Sequence, residues 1–506
     1  MDIILFILVL GLNILIHEFA HFYFARKANI LCHEFAIGMG PVIYQKKKGE
    51  TVYSIRAIPL GGYVSMAGEE VSDFVKIGNT LGVNLDEDGN VNEIILNNET
   101  KYDLIGKVVD RDLYGLDDSE LFITLNTSKG EVRLKVNKDA MYVLSTKKKM
   151  QLSIASRSYE NKTLWQRFKV VIAGPLSNFL LAFIILFFLA FFIGKPKEEA
   201  QIGEVGKIAD EYGINSGDIV TSINGEDVLS FNHVGSLVAK AQSDSIKIGL
   251  NNEPEIEVPL LLVFQGLGFT NIQDNNELVV GQVFGRNKDL KIGDIIQSIA
   301  IGNTTKPLQD VNNWSELIDY ASKNSEGEVV KLKVLRENKE VTISYNNISN
   351  KTLNKLGTSY VGYSIGVGGV SEFNIFYPLY YPFVRLGGDM KQMWNTIVLL
   401  VSPNSGVGVG DLAGPIGIFS LVSDARSQGV VSFFIFVAFL SVNIGFLNLL
   451  PIPALDGGRI AFIVYEGITK KKVNKNFENI LITITFILLL MLMVVVSFQD
   501  ILRIFR

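Results

Sequence analysis

Cysteine is all but missing from this sequence. Among 506 residues there is one, Cys32, so no intrachain disulfide can form and zinc sites built from paired Cys-x-x-Cys ligands are excluded. Histidine is nearly as scarce, with four copies. Any bound metal must therefore be held by His and carboxylates. Charge is modest too: charged residues make up 20% of the chain, the formal net charge is -5, and no long basic tract occurs. Nothing in that balance invites a nucleic-acid partner.

What the chain has in excess is apolar surface. Hydrophobic residues reach 48% and the mean hydropathy is +0.27, a high value for a soluble enzyme that still carries many charges. That mixture predicts membrane helices joined to soluble domains. Residues 3–25 are apolar apart from Asn13 and the group His17, Glu18 and His21, a run long enough to cross a hydrocarbon core of about 30 Å. It reads as a span rather than a signal peptide, because Asp2 stands where a basic start belongs, the run is too long, and no small-residue cleavage site follows. Further spans are expected at 170–194, 429–450 and 480–498. Lys and Arg crowd after the first span, before the second and between the last two (Lys470, Lys471, Lys472, Lys475). By the positive-inside rule those loops face the cytoplasm, and both termini with the stretch 195–428 lie outside.

Two segments of that outer stretch share a pattern. Residues 205–228 and 281–303 each carry a Gly-Asp pair, Gly217-Asp218 and Gly293-Asp294, just before an apolar strand-like run. This is the mark of an internal repeat of small β-rich domains, expected at 195–270 and 271–350, followed by a connecting segment with an amphipathic helix over 351–428. The loop 26–169 also reads mostly as strands, with the acidic, Asn-rich patch 85–100 as a solvated turn region. The fold expected is thus a polytopic α-helical membrane protein of about four transmembrane helices, with a β-rich loop and extramembrane α+β domains.

His17-Glu18-Phe19-Ala20-His21 is an H-E-x-x-H motif. Its spacing sets both imidazoles on one helix face, where they can bind one Zn²⁺, with Glu18 beside the metal as a general base. The bland alternative is a chance match between two structural histidines. An ionisable group in hydrocarbon costs about 2.5–3.5 kcal/mol, so three on one span call for a site that satisfies them. Catalytic zinc needs a third protein ligand, and the best candidate is Asp456, in the Pro- and Gly-rich break 448–458 after the third span. An N-cap carboxylate opening the following helix is an equally open reading of Asp456.

HEFAH in the first span, AGPLSN (173–178) in the second and NLLPIPALDGG (448–458) after the third resemble, in order over nearly the whole chain, the bacterial branch of the site-two protease family. FAIGMG (35–40), IPLGGYVSM (58–66), LAGPIGI (412–418) and SVNIGFLN (441–448) add to the match. The resemblance implies His17, His21 and Asp456 as zinc ligands, Glu18 as catalytic base, and Asn448 with Asn443 as groups that bind substrate backbone. It implies a membrane-associated β-hairpin that holds substrate as an added strand, with Ile55, Gly61 and Gly62 among its contacts. It also implies PDZ-like character for the outer repeats, two where one is usual, and substrates that are single-pass membrane proteins or signal-peptide remnants within a bacterial cytoplasmic membrane.

Other polar groups read as structural. His33 is expected in a loop, His233 stands alone in the first repeat, and Asn178 is expected to pack or hydrogen-bond between helices. A membrane peptidase with its site in a soluble domain is disfavoured by the placement of HEFAH inside an apolar span. A PDZ-bearing scaffold with a decayed protease core would lack Glu18 or Asp456, and both are present.

Overall fold

The computed structural model describes residues 2–504 except 69–73, 98–99, 117–118, 147, 242, 273–276, 285–288, 403–407 and 409–411. Its helices are α1 (Asp2–Lys27), α2 (Leu164–Ile193), α3 (Lys207–Glu211), α4 (Phe231–Val238), α5 (Trp314–Lys323), α6 (Asn350–Lys355), α7 (Tyr377–Val401), α8 (Pro415–Ser427), α9 (Val430–Leu449), α10 (Asp456–Thr469) and α11 (Lys475–Ile504). Four of them, α1, α2, α9 and α11, are long and apolar enough to cross a membrane. They match all four expected spans, with 194, 429 and 450 falling just outside the helices. The start of α2 lies six residues before the apolar run, because the amphipathic stretch from Leu164 to Lys169 keeps helical spacing. The chain divides into two compact units, residues 1–182 with 436–491, and residues 183–435 with 492–506.

In the first unit α1 leads into β1 (Cys32–Lys48), which pairs with β2 (Thr51–Met66). The register is not that of a flat hairpin. Phe35, Ala36 and Ile37 pair on one side with Gly62, Tyr63 and Val64, and on the other with Tyr53, Ser54 and Ile55, which in turn face Tyr44, Gln45 and Lys46. Both strands must therefore bend, and they do so at glycines with positive φ: Gly38 (+85°) and Gly40 (+80°) in β1, and Gly61 (+91°) in β2. Glu34 ties the bend together, accepting hydrogen bonds from Ser54 Oγ, Arg56 Nη2 (2.7 Å) and Tyr63 OH (2.8 Å). Burial raises its pKa, but those three donors outweigh it and hold the carboxyl below its ordinary range.

The rest of the loop forms a second sheet of β3 (Thr80–Leu85), β4 (Val91–Ile95), β5 (Leu104–Asp112), β6 (Phe122–Thr127), β7 (Gly130–Ser145) and β8 (Lys148–Gln151), in the order β4-β3-β5-β6-β7-β8. Because β4 also pairs in parallel with β7, the first five strands close on themselves around Val83, Ile94, Ile123 and Leu125, all fully buried. Residues 86–90 of the acidic patch are a solvated turn, but Val91, Ile94 and Ile95 are buried strand residues that supply the closing contacts.

The second unit contains the repeat. Strands at Val220–Ile223, Glu226–Asp227, Ser245–Leu250 and Ile256–Pro259 with α4 are matched, in the same sheet order, by Ile295–Gly302, Gln309–Asp310, Val329–Arg336 and Lys339–Asn346 with α5. The turns match as well. Asp218 Oδ2 accepts the backbone N–H of Asn215 at 2.7 Å, and Asp294 Oδ2 accepts that of Lys291 at 2.8 Å. Each helix is capped alike, by Ser230 on His233 N and by Asn313 on Glu316 N. One hydrophobic core runs through both copies from Ala200 to Ile365, past residue 350, taking in Leu353, Tyr360 and Val361. The module begins and ends side by side, since Lys195–Pro196 pairs with Ser371–Glu372 and Ile202–Val205 with Val367–Gly369.

Candidate active site

Helical spacing of 3.6 residues brings His17 and His21 onto the buried face of α1 together with Asn13, and the two imidazole Nε2 atoms lie 3.2 Å apart. The third donor comes from α10. Asp456 Oδ2 is 3.2 Å from His17 Nε2 and 3.3 Å from His21 Nε2. Asp456 is the first residue of its helix. The N-cap is Leu455, with no side-chain capping bond, so the capping reading does not describe this carboxylate.

The break before α10 is what delivers it. The backbone turns through Ile452 N to Leu450 O (2.7 Å) and Leu455 N to Ile452 O (2.8 Å), and the loop folds back across the start of α10. A Cβ on Gly457 would collide with the carbonyls of Leu449 and Leu450, and one on Gly458 with Ile452 and Pro453. Both glycines are required by that close approach.

The donor set fits zinc. His21 Nδ1 lies 2.7 Å from the Val170 carbonyl of α2, and a carbonyl only accepts, so Nδ1 carries the proton and Nε2 presents a lone pair. A lone pair, a second imidazole nitrogen and a carboxylate oxygen thus converge in a buried site where Asp456 Oδ2 makes no hydrogen bond among the described residues. Acceptors gather in this way around a cation. Tetrahedral zinc with bonds of roughly 2.0–2.2 Å separates its ligands by about 3.3 Å, close to the three observed spacings. His17 Nδ1 and Asn13 Oδ1, one turn apart, are both buried without a hydrogen-bond partner among the described residues.

Two glycines set the walls. Gly174 of α2 lies against both imidazoles: a Cβ there would come within 2.2 Å of His21 Nε2 and 2.8 Å of His17 Cε1. Gly62 of β2 lies against α1, where a Cβ would come within 2.8 Å of Glu18 Cγ and 3.2 Å of Ile14 Cγ2. Among the described residues, 62–66 pair on one side only, which makes them the open edge of that sheet, with Gly62 beside Glu18. Ile55 is half exposed but stands inside the sheet, flanked by Ile37 and Tyr44, so its backbone offers no free edge.

Asn443 and Asn448 lie on α9, and the Asn448 amide nitrogen donates to the Ile444 carbonyl at 3.0 Å, which leaves its oxygen available as an acceptor. The Asn178 side chain is fully buried with both amide atoms unpartnered among the described residues, while its backbone carbonyl accepts Ser441 Oγ at 2.9 Å. His33 is the second residue of β1 rather than a loop residue. It bonds Ser153 Oγ at 3.0 Å, and burial with Arg157 nearby pushes its pKa down to about 4. His233 bonds the backbone of Leu229 at 3.2 Å. Neither joins the cluster. Val170, Gly174 and Ser177, whose Oγ bonds the Ile16 carbonyl of α1 at 3.2 Å, belong to the site's support. The run AGPLSN marks the region, but their roles come from contacts with α1 that no local pattern encodes.

An H-E-x-x-H helix of membrane-span length, completed by an aspartate from a distant helix, defines a membrane metalloprotease. Residues 5–492 match the model of peptidase family M50, and the chain belongs to that family, the site-2 proteases. It is similar to the zinc metalloprotease RasP of Bacillus licheniformis, 31% identical over 99% of each chain, and to the regulator of sigma-W protease RasP of Bacillus subtilis, 30% identical over the same shares. A putative zinc metalloprotease of Staphylococcus aureus is 28% identical over 99% of this chain and 98% of its own. The protein is accordingly a zinc metalloprotease integral to a membrane.

Two substitutions separate metal from chemistry. Gly174→Ala forces a methyl into the imidazole pair, so zinc affinity measured by chelator competition should fall by about 10–100-fold or more. Undiminished affinity would show that α2 does not set the ligand geometry. Gly62→Ala presses instead on Glu18 and on the Ala36 carbonyl of β1; zinc should stay bound while kcat falls, by up to about 100-fold for a displacement near 1 Å. An unchanged kcat would detach this strand from catalysis.

Proposed function

We propose that this protein is an intramembrane endopeptidase of regulated intramembrane proteolysis, cutting single-span membrane proteins or signal-peptide remnants in a bacterial cytoplasmic membrane. His17, His21 and Asp456 are its zinc ligands and Glu18 its general base. The observation that carries this reading is the convergence of Asp456 from α10 on two imidazoles of a helix of span length, with Glu18 in the same helical turn as the imidazoles. When bound, zinc supplies Lewis acidity, lowering the pKa of water and polarising the scissile carbonyl.

The chain's own residues do the rest. Glu18 takes the proton of the attacking water and returns it to the departing amine. A substrate helix hides its peptide bonds in i to i-4 hydrogen bonds, so it must unwind, and the open edge at Gly62–Met66 can hold the unwound segment as an added strand. Gly61 gives that strand its bend, Ile55 stands across β1 from it opposite Ile37, and Asn448 with Asn443 bind the substrate's other side through their amides. The name of the Bacillus subtilis relative supports an anti-sigma factor as one substrate class.

The repeated module at 195–372 is read as two PDZ-like domains on the outer side of the membrane, with the closed barrel in the cytoplasm. Its side follows from the basic residues flanking the spans. On this reading the module filters substrates by the bulk of their outer domains.

Glu18→Gln should retain about one zinc per chain and lose activity toward a single-span substrate by roughly 10²–10⁴-fold, since an amide cannot take the proton. Activity near wild type would reject the general-base role and favour a different nucleophile activation.

Because Lys195–Pro196 and Ser371–Glu372 are already paired, residues 197–370 can be replaced by an Asn-Gly turn without separating the flanking strands. That variant should bind zinc, cut a trimmed substrate as before, and also cut a substrate with its outer domain intact. If it cuts the trimmed substrate and still refuses the full-length one, the filter reading fails.

A further inference from the structure

A cavity of about 290 Å³ opens in the first unit between the start of α2, the middle of α10 and the start of α11, just below the size range of small-molecule pockets. Four cations and three carboxylates line it. Two of the cations are matched: Arg167 Nη2 pairs with Glu466 Oε2 at 2.7 Å, and Lys475 pairs with Glu160. Arg459, Lys472 and Glu478 complete the charged lining, which thus carries one more cation than carboxylates. Arg167 keeps a buried Nε that makes no hydrogen bond among the described residues. The first turn of α11 also opens on this space, and the positive end of its dipole adds to the field.

The cavity's level in the molecule is fixed by its neighbours. Arg167 and Lys475 stand in the first turns of two helices of span length. Trp165, 62% exposed, lies beneath Lys169 at 5.1 Å, the arrangement of an aromatic residue at a membrane surface. Phe462, Ile463 and Ile482 give the cavity an apolar wall beside its cationic one. A cationic, part-apolar pocket between span ends suits a phosphate that is attached to a glycerol and acyl chains.

We propose that this cavity seats the headgroup phosphate of an anionic phospholipid, of the phosphatidylglycerol class. Its occupant bridges α2, α10 and α11, the last two otherwise joined by a five-residue link.

The test uses purified, delipidated full-length protein in detergent, titrated with phosphatidylglycerol, phosphatidylcholine or inorganic phosphate, and read by thermal unfolding and native mass spectrometry. Phosphatidylglycerol should bind and raise the midpoint, while the other two at equal concentration should not. Lys472→Glu, a change on an exposed link, should weaken phosphatidylglycerol binding roughly tenfold or more. Lys471→Glu, next to it but outside the cavity, should leave binding near wild type. Equal losses in the two variants would reduce the effect to general surface attraction, and equal binding of phosphatidylcholine would remove the anionic requirement. Protection by inorganic phosphate alone would assign the cavity to a soluble phosphate compound. Each of these three outcomes overturns the proposal.

Discussion

Two imidazole nitrogens and a carboxylate oxygen are held 3.2–3.3 Å apart in a buried site, and the first unit is organised around holding them there. Each costs desolvation, and the cost is recovered when a cation fills the space they surround. A single helix can supply two of the three, because i and i+4 share a face. It cannot supply the third in the same plane of approach. That donor comes from a residue more than 430 positions later in the chain, carried to the site by a loop that interrupts the membrane helices between Leu449 and Asp456. The unpaired backbone of such a loop is tolerable only where protein lines it, and here it is folded onto its own next helix.

Close approach is the second constraint, and glycine meets it wherever two elements converge on the donors. Gly174 lets α2 lie against the imidazoles, Gly62 lets the sheet edge lie against Glu18, and Gly457 with Gly458 let the loop cross the start of α10. None of these four has the positive φ that would by itself demand glycine. They are glycines for lack of room. The same packing explains why Val170 can reach His21 with its carbonyl: α2 comes near enough for a 2.7 Å hydrogen bond to fix the imidazole tautomer.

These facts also mark how far the sequence could be read. The four span helices were legible because runs of 18 or more apolar residues have few alternatives. The H-E-x-x-H pair was legible because its geometry is local. Asp456 was not settled by its residues, since a carboxylate before two glycines reads equally as a cap; the placement of Leu455 at the N-cap speaks against the cap. The sheet edge was only partly visible. Period-2 patterning marks strands over 53–66 but not which stretch lies outermost, and Ile55 turns out to be enclosed while 62–66 is open. The strand Val91–Ile95 was hidden for the same reason. Its burial depends on a parallel partner some 45 residues away, and an acidic, Asn-rich context gives no hint of it.

The ion pair between Arg167 and Glu466 completes the account of how the distant aspartate keeps its position. Their side chains are 12% and 16% exposed and 2.7 Å apart, one at the start of α2 and the other ten residues beyond Asp456 on α10. Such a pair adds little net stability over an apolar one, but breaking it by removing one partner typically costs about 3–5 kcal/mol, because the survivor is left charged and buried. Its energetic character is thus that of a register lock: a slide of α10 along α2 would expose the system to that penalty before any packing was lost. The two ends of α10 are then held by different chemistry, the donor cluster at Asp456 and a charge pair at Glu466. With α1 tied to α2 through Val170 and Ser177, the three helices that meet at the site are joined by polar contacts on each side of the donors. In hydrocarbon, where apolar surfaces gain nothing from avoiding water, contacts of this kind and close small-residue packing are what remain to fix helices against one another.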